Sequence, residues 1–185
     1  MSVVFASSAI VIAVLALVGF GPALAARLRR RPSHSRAEPT PPAYDPGRER
    51  RAEARARELM RSVVSEDEYA MYAELGFIAI GGSGGGGYEY LLYPHRPIVA
   101  YDTSSGELLN EYCVGFPDRS EPVAGQRLPD ADDVLAKWMS VRATERRLIS
   151  VANMHVPGRQ LDPNQVRRDL LRLRDWRARR VGAAA

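Results

Sequence analysis

The sequence has very little cysteine and lysine: Cys113 and Lys137 are the only residues of their types. One cysteine cannot form an internal disulfide or a cysteine-rich zinc site, and its isolation fits a reducing compartment. The three histidines lie far apart, and none has a histidine partner at the spacing of helical metal ligands. We therefore expect no metal site and no cofactor, and we attribute the scarcity of lysine to genomic base composition.

Charged side chains are also missing from residues 1–26, which are apolar or small after the initiating methionine. A helix that crosses a hydrocarbon core of about 30 Å needs roughly twenty such residues. Arginines follow at once, and basic flanks stay on the cytoplasmic side of a membrane. The pattern predicts a transmembrane anchor over residues 1–26, with membrane-surface contacts from Arg27, Arg29, Arg30 and Arg31. The expected location is the inner, cytoplasmic membrane, in a single pass with the N-terminus outside and the C-terminal domain in the cytoplasm.

A cleaved signal peptide is the alternative interpretation of this segment, because Ala23-Leu24-Ala25 before Ala26 resembles a small-residue cleavage site. Two features oppose it. The stretch before the apolar run has no Lys or Arg, and the arginines after the cleavage point resist translocation.

The net charge of +4 is distributed unevenly. Residues 1–62 have eleven Arg and five acids, residues 63–160 have eight basic residues and fourteen acids, and residues 161–185 have seven Arg and three acids. The basic character therefore belongs to the two ends, and the middle is acidic. Residues 27–47 are rich in Pro, Ser and Arg, which predicts a basic linker that cannot bury a core.

Residues 48–160 have the pattern of one small α+β domain. A helix is predicted over residues 48–60, and a capping box at Ser65 and Glu68 predicts a second helix that ends at Gly76. Four strands rich in aliphatic and aromatic residues follow, over residues 77–80, 88–93, 98–101 and 107–114. They indicate an antiparallel meander packed against helices. A long helix beginning near Asp130, with a break near Thr144, is predicted to continue until Pro157 and Gly158 stop it.

Residues 161–185 predict an amphipathic, basic C-terminal helix, with Asp162 as the cap and Pro163 in the first turn. Its arginines have three possible roles: contact with a membrane surface, docking on the acidic middle, or contact with nucleic acid. Nucleic acid is the least favoured, since aromatic stacking platforms and reading motifs are missing. The candidate interaction residues are Arg167, Arg168, Arg172 and Trp176.

The segment from Tyr69 to Asn153 resembles a small uncharacterised domain of bacterial and phage proteins. The similar features are Gly76-Phe77, Tyr112-Cys113 in a strand, and a following helix that opens P-x-x-D-x-x-L-A-K at residues 129–137. The resemblance covers about half of the chain. It implies a fold and no activity.

Three other features are possible sites of chemistry. The glycine run at residues 81–87 could cradle phosphate, but it lies between two strands and lacks a following helix, so a hairpin loop is favoured. Cys113 could act as a nucleophile if His95 came close, although a small buried side chain is the simpler interpretation. The acids Asp130, Asp132 and Asp133 fit a helix start better than a calcium loop.

The sequence therefore favours a membrane-tethered, non-enzymatic module that engages an unidentified protein partner. One alternative is an enzyme or small-ligand sensor that uses Cys113, His95 and the glycine loop. The other is nucleic-acid contact through the arginine-rich tail. The oligomeric state is not encoded in any recognisable pattern.

Overall fold

The structure, a computed structural model, describes residues 47–116 and 127–184. A five-stranded antiparallel sheet lies at the centre of this part of the chain. The elements follow one another as α1 (Arg48–Val63), α2 (Glu66–Leu75), β1 (Ile78–Gly81), β2 (Tyr88–Leu92), β3 (Ile98–Asp102), β4 (Leu108–Cys113), α3 (Asp130–Val151), β5 (Asn153–His155) and α4 (Pro163–Ala184). Strands adjacent in sequence are adjacent in the sheet, in the order β1-β2-β3-β4-β5. The predicted α+β fold with an antiparallel meander packed against helices is confirmed.

The ends of α2 follow from local side-chain chemistry, as the sequence predicted. The Ser65 backbone N–H donates to Glu68 Oε2 at 2.9 Å, and the Glu68 N–H donates to Ser65 Oγ at 3.3 Å. This reciprocal pair satisfies two of the free N–H groups at the helix start. Gly76 ends the helix with a φ of 83°, a conformation that an L side chain rarely adopts.

Helix α3 has the expected irregularity at Thr144, whose φ of −149° and ψ of 47° are not helical. The helix ends at Val151, earlier than the predicted stop at Pro157 and Gly158, and the chain continues as the short strand β5. Asp162 then caps α4, since its Oδ1 accepts from the Asn164 N–H at 3.0 Å.

The sheet is buried on both faces because alternate residues of its strands point to opposite sides. Helices α1 and α3 cover one face, where Met60 and Val134 pack with Ile78 and Ile98. The opposite face is covered by α2 and α4 and includes Phe77, Leu91, Val99, Val166, Leu173 and Trp176. The basic C-terminal helix is therefore part of the packed structure, and its apolar stripe forms one wall of the second core.

The membrane-spanning fold requires a correction. Among residues 47–116 and 127–184, no helix has the length and apolar character needed to cross a bilayer. The two 22-residue helices, α3 and α4, are long enough, but acids and arginines occur throughout them. The prediction of a single-pass transmembrane fold in the inner membrane is replaced by the α+β fold described above. Residues 1–26, with the surface arginines Arg27, Arg29, Arg30 and Arg31 and the linker to residue 46, lie outside the described residues.

Candidate interaction surface

The glycine run connects β1 to β2 as a loop whose position is fixed by a carboxylate from α3. Glu145 Oε2 accepts from the Ser83 backbone N–H at 2.7 Å and from the Ser83 hydroxyl. The other carboxylate oxygen accepts from the hydroxyls of Tyr88 and Tyr90, each at 2.8 Å. Burial opposes ionisation of Glu145, but these hydrogen bonds outweigh it and lower the pKa of the carboxyl group. The Ser83 N–H is therefore bonded to the protein's own carboxylate and is not free to receive an external anion.

Cys113 and His95 lie at the other end of the sheet from the glycine loop. Ile98 pairs with Tyr112, so the end of β4 lies beside the β2–β3 turn that contains His95. His95 makes its contacts with α3: its N–H donates to Asp133 Oδ2 at 2.8 Å, and its Nε2 lies 3.1 Å from Asp130 Oδ1. Burial, followed by the charge of Glu111, raises the pKa of the Cys113 thiol. The fold therefore separates the glycine loop from Cys113 and His95, and the raised pKa favours the unreactive thiol form of Cys113.

An open, largely polar cavity of about 680 Å³ lies between the β2–β3 turn and the loop before α4. Residues 95–97 line one side, and residues 160–162 with Gln165 line the other. His95 has a φ of 53°, the only positive value for a non-glycine residue in the described ranges. The backbone hydrogen bond to Asp133 and the side-chain contact with Asp130 hold His95 against α3 in that conformation.

The acids at the start of α3 have structural roles. Asp130 contacts His95, and Asp133 binds the ammonium of Lys137 at 2.5 Å. Within the ranges that the structure describes, no group of three or more His, Cys, Asp or Glu side chains is arranged to hold a metal ion.

Arginines near the end of α4 bind acids in the middle of the chain, which corresponds to the docking role among the three that the sequence left open. Arg177 contacts Glu89 at 2.9 Å, and Arg180 contacts Asp67 at 2.7 Å. Arg180 also lies over the ring of Trp176, with 5.0 Å between its guanidinium carbon and the ring centroid. These contacts attach the helix to α2 and β2.

The four candidate interaction residues of α4 occupy different environments. Trp176 is only 4 % exposed, so its ring is a core element and is not presented at the surface. Arg172 bridges Asp169 at 2.9 Å and the Leu75 carbonyl at 3.2 Å. Arg167 and Arg168 are exposed and form hydrogen bonds with Asn164 and Gln165 of their own helix.

Exposed apolar side chains surround strand β5, which lies at one edge of the sheet. Strand β5 pairs with β4 alone, and no strand of the described residues lies on its outer side. Val151, Met154 and Val156 are 71, 63 and 72 % exposed. We call these three residues the β5 edge patch. Sequence analysis missed this surface because the helix predicted from Asp130 to Pro157 includes it. The alternation of polar and apolar residues over 153–156 is nevertheless a strand signal.

The opposite edge of the sheet is protected. On β1, the Ala79 N–H donates to the thioether sulfur of Met71 at 3.0 Å, and both residues belong to the second core. Native proteins usually cover or charge their sheet edges, since an open edge pairs readily with another chain. Strand β1 therefore has a bonded N–H at its edge, whereas no strand of residues 47–116 and 127–184 lies beside β5.

Comparisons with known proteins assign no family to this chain. No family model matches it, and neither the curated proteins nor the solved structures include one with significant similarity. The resemblance to the uncharacterised bacterial and phage domain stays a prediction.

Proposed function

We propose that this chain is a protein-interaction module that engages its partner through the β5 edge. The observation that carries the proposal is the exposure of the β5 edge patch beside a strand that pairs, among the described strands, with β4 alone. Burying three such side chains against a partner removes apolar surface from water, at roughly 25 cal/mol per Å². A free strand edge also offers backbone hydrogen bonds to an incoming chain.

The other features of the fold support this choice over an enzyme. The glycine loop is held by Glu145, and Cys113 has a raised pKa and no hydrogen bond or ion pair with His95. These residues therefore contribute contacts that maintain the fold, whereas the β5 edge patch makes its side chains available to another molecule.

The test compares the full chain with a variant in which Met154 and Val156 are both changed to Asp. Each protein is expressed in its native host as bait for cross-linking, and the recovered proteins are quantified by mass spectrometry. We expect at least a tenfold loss of specific partners from the double variant, on the order of the effect of removing a central apolar anchor.

A matched control changes Leu171 and Val181 to Asp. These residues are also exposed and apolar, at 50 and 73 %, but they lie on α4. The control should retain the partners that the wild type recovers. If the Met154 and Val156 variant recovers the same proteins in the same amounts as the wild type, the proposed function at this edge is wrong.

A further inference from the structure

Two arginines flank the β5 edge patch, and neither is paired with an acid of the described residues. Arg147 lies one helical turn before Val151 on α3, on the same side of that helix. Arg159 follows Val156 in a turn closed by a hydrogen bond from the Arg159 N–H to the Val156 carbonyl at 3.2 Å. Both residues are exposed. We call Arg147 and Arg159 the flanking arginines.

The lack of an acidic partner distinguishes the flanking arginines from the arginines that hold the fold together. Arg142 binds Glu68 at 2.8 Å, and Arg177 and Arg180 bind acids at 2.9 and 2.7 Å. Those cations are largely neutralised within the chain. The charge beside the β5 edge patch is instead available to a molecule that approaches it.

The turn that carries Arg159 is held in place by a buried carboxylate of the adjacent strand. Glu111 of β4, only 2 % exposed, accepts from the backbone N–H groups of Gly158 at 2.8 Å and Gln160 at 2.7 Å. These residues precede and follow Arg159. The backbone of Arg159 is therefore positioned before any partner arrives, which lowers the entropic cost of binding.

From this arrangement we infer the chemistry of the partner: an extended segment of another protein in which apolar residues alternate with acidic ones. The segment adds to the sheet as a strand beside β5. Side chains alternate along a strand, so residues two positions apart cover the β5 edge patch, and acidic side chains reach the flanking arginines. This inference rests on the proposed function and specifies its partner.

A second copy of the chain fits this surface less well. Antiparallel pairing of two β5 strands about Met154 would bring the turn with Arg159 towards the end of α3 in the other copy, where Arg147 lies. Two such contacts between like charges would form in a symmetric dimer. An acidic segment replaces that repulsion with attraction. Nucleic acid would match the charge but would leave the apolar side chains without a suitable partner.

The experiment uses a displayed library of random nonapeptides, selected against the full chain and against the variant Arg147→Glu/Arg159→Glu. We expect the wild type to enrich peptides that alternate apolar and acidic residues, and the charge-reversed variant to enrich basic ones. A selected acidic peptide should bind the reversed variant at least tenfold more weakly. Hydrogen exchange should show that this peptide protects the amides of residues 153–155 in the wild type.

The matched control reverses two exposed arginines of α1, as Arg50→Glu/Arg55→Glu. This control makes the same change in net charge on another element. It should alter the affinity of the acidic peptide by less than about twofold at 0.15 M salt, because charges beyond the Debye length are screened. Circular dichroism establishes that both variants are folded. Light scattering of the wild type measures self-association, and a labelled RNA oligonucleotide provides the nucleic-acid probe.

Selection of neutral or basic peptides by the wild type, or of none at all, would overturn the inference. A dimer broken by the Met154 and Val156 substitutions, or RNA binding that needs the flanking arginines, would replace it with another occupant. Loss of partners from the Met154 and Val156 variant, without an acidic preference in the library, would refute the partner chemistry and leave the proposed function in place.

Discussion

Replacing Lys137 by methionine tests how much the buried Lys137–Asp133 ion pair of α3, which bonds the backbone of the β2–β3 turn, contributes to stability. The Lys137 side chain is 1 % exposed, and its ammonium makes three hydrogen bonds. It donates to Asp133 Oδ2 at 2.5 Å, to the Tyr93 carbonyl at 2.7 Å and to the Arg96 carbonyl at 2.8 Å. Burial lowers the pKa of Lys137, although the Asp133 carboxylate opposes that effect.

The expected cost of Lys137→Met follows from what the substitution leaves behind. Asp133, 5 % exposed, keeps its hydrogen bond from the His95 N–H but loses its counter-charge. Breaking a buried pair by removing one partner costs about 3–5 kcal/mol. Subtracted from a free energy of unfolding of about 5–15 kcal/mol, this cost would leave roughly 0–12 kcal/mol, so the domain would be much less stable.

The measurement is urea unfolding of the purified chain followed by circular dichroism. With an m-value of about 1–3 kcal/mol/M, the unfolding midpoint should fall by roughly 1–3 M or more. Arg146→Met removes an exposed charge from the same helix and should change the free energy of unfolding by less than about 0.5 kcal/mol. In the double variant Asp133→Asn/Lys137→Met the cost should be smaller than the sum of the single costs by about 0.5–3 kcal/mol. A loss below about 1 kcal/mol for Lys137→Met would refute the reasoning.

Two further predictions concern the glycine loop and the response to acid. Gly82→Ala should lower the free energy of unfolding by about 1–3 kcal/mol, because the added Cβ would overlap the ring of Tyr88. At Gly81 no atom lies within 4 Å of an added Cβ, so Gly81→Ala should change the free energy of unfolding by less than about 0.5 kcal/mol. Equal effects of the two substitutions in urea melts would contradict this account. Burial opposes ionisation of Glu68, but hydrogen bonds from Trp138, Arg142 and Ser65 outweigh it and lower its pKa from 4.5 to about 2. The stabilisation from Glu68 is therefore complete above pH 4.5 and is lost as the pH falls towards 2. The melting temperature of the Glu68→Gln variant should depend less on pH in that range than that of the wild type. An equal change of melting temperature with pH in both proteins would count against this role of Glu68.

Much of the fold could be predicted from the sequence because its signals are local. The capping box at Ser65 and Glu68, the glycine stop at Gly76 and the irregularity at Thr144 each depend on a few adjacent residues. The strands of the meander likewise show their aliphatic and aromatic runs directly. In these cases local preference and the final packing agree.

The features that sequence analysis missed depend on distant partners. Strand β5 is three residues long, and only its pairing with β4 separates it from the preceding helix. The role of Glu145 requires a loop 62 residues earlier in the chain. The sequence of α4 predicted an amphipathic helix correctly, but its charge pattern did not show whether Trp176 would contact lipid, solvent or the sheet. Only the burial of Trp176 in the second core, to which Phe77 and Leu91 also belong, decides that question.

The protected β1 edge determines the stoichiometry of any complex formed by strand addition. In the proposed complex an incoming strand at β5 would make a six-stranded sheet, while at the other end the Ala79 N–H is already bonded to Met71. That bond would disfavour a second addition at β1. With one edge open to a partner, the proposed complex would be a discrete one-to-one assembly, not an open-ended filament.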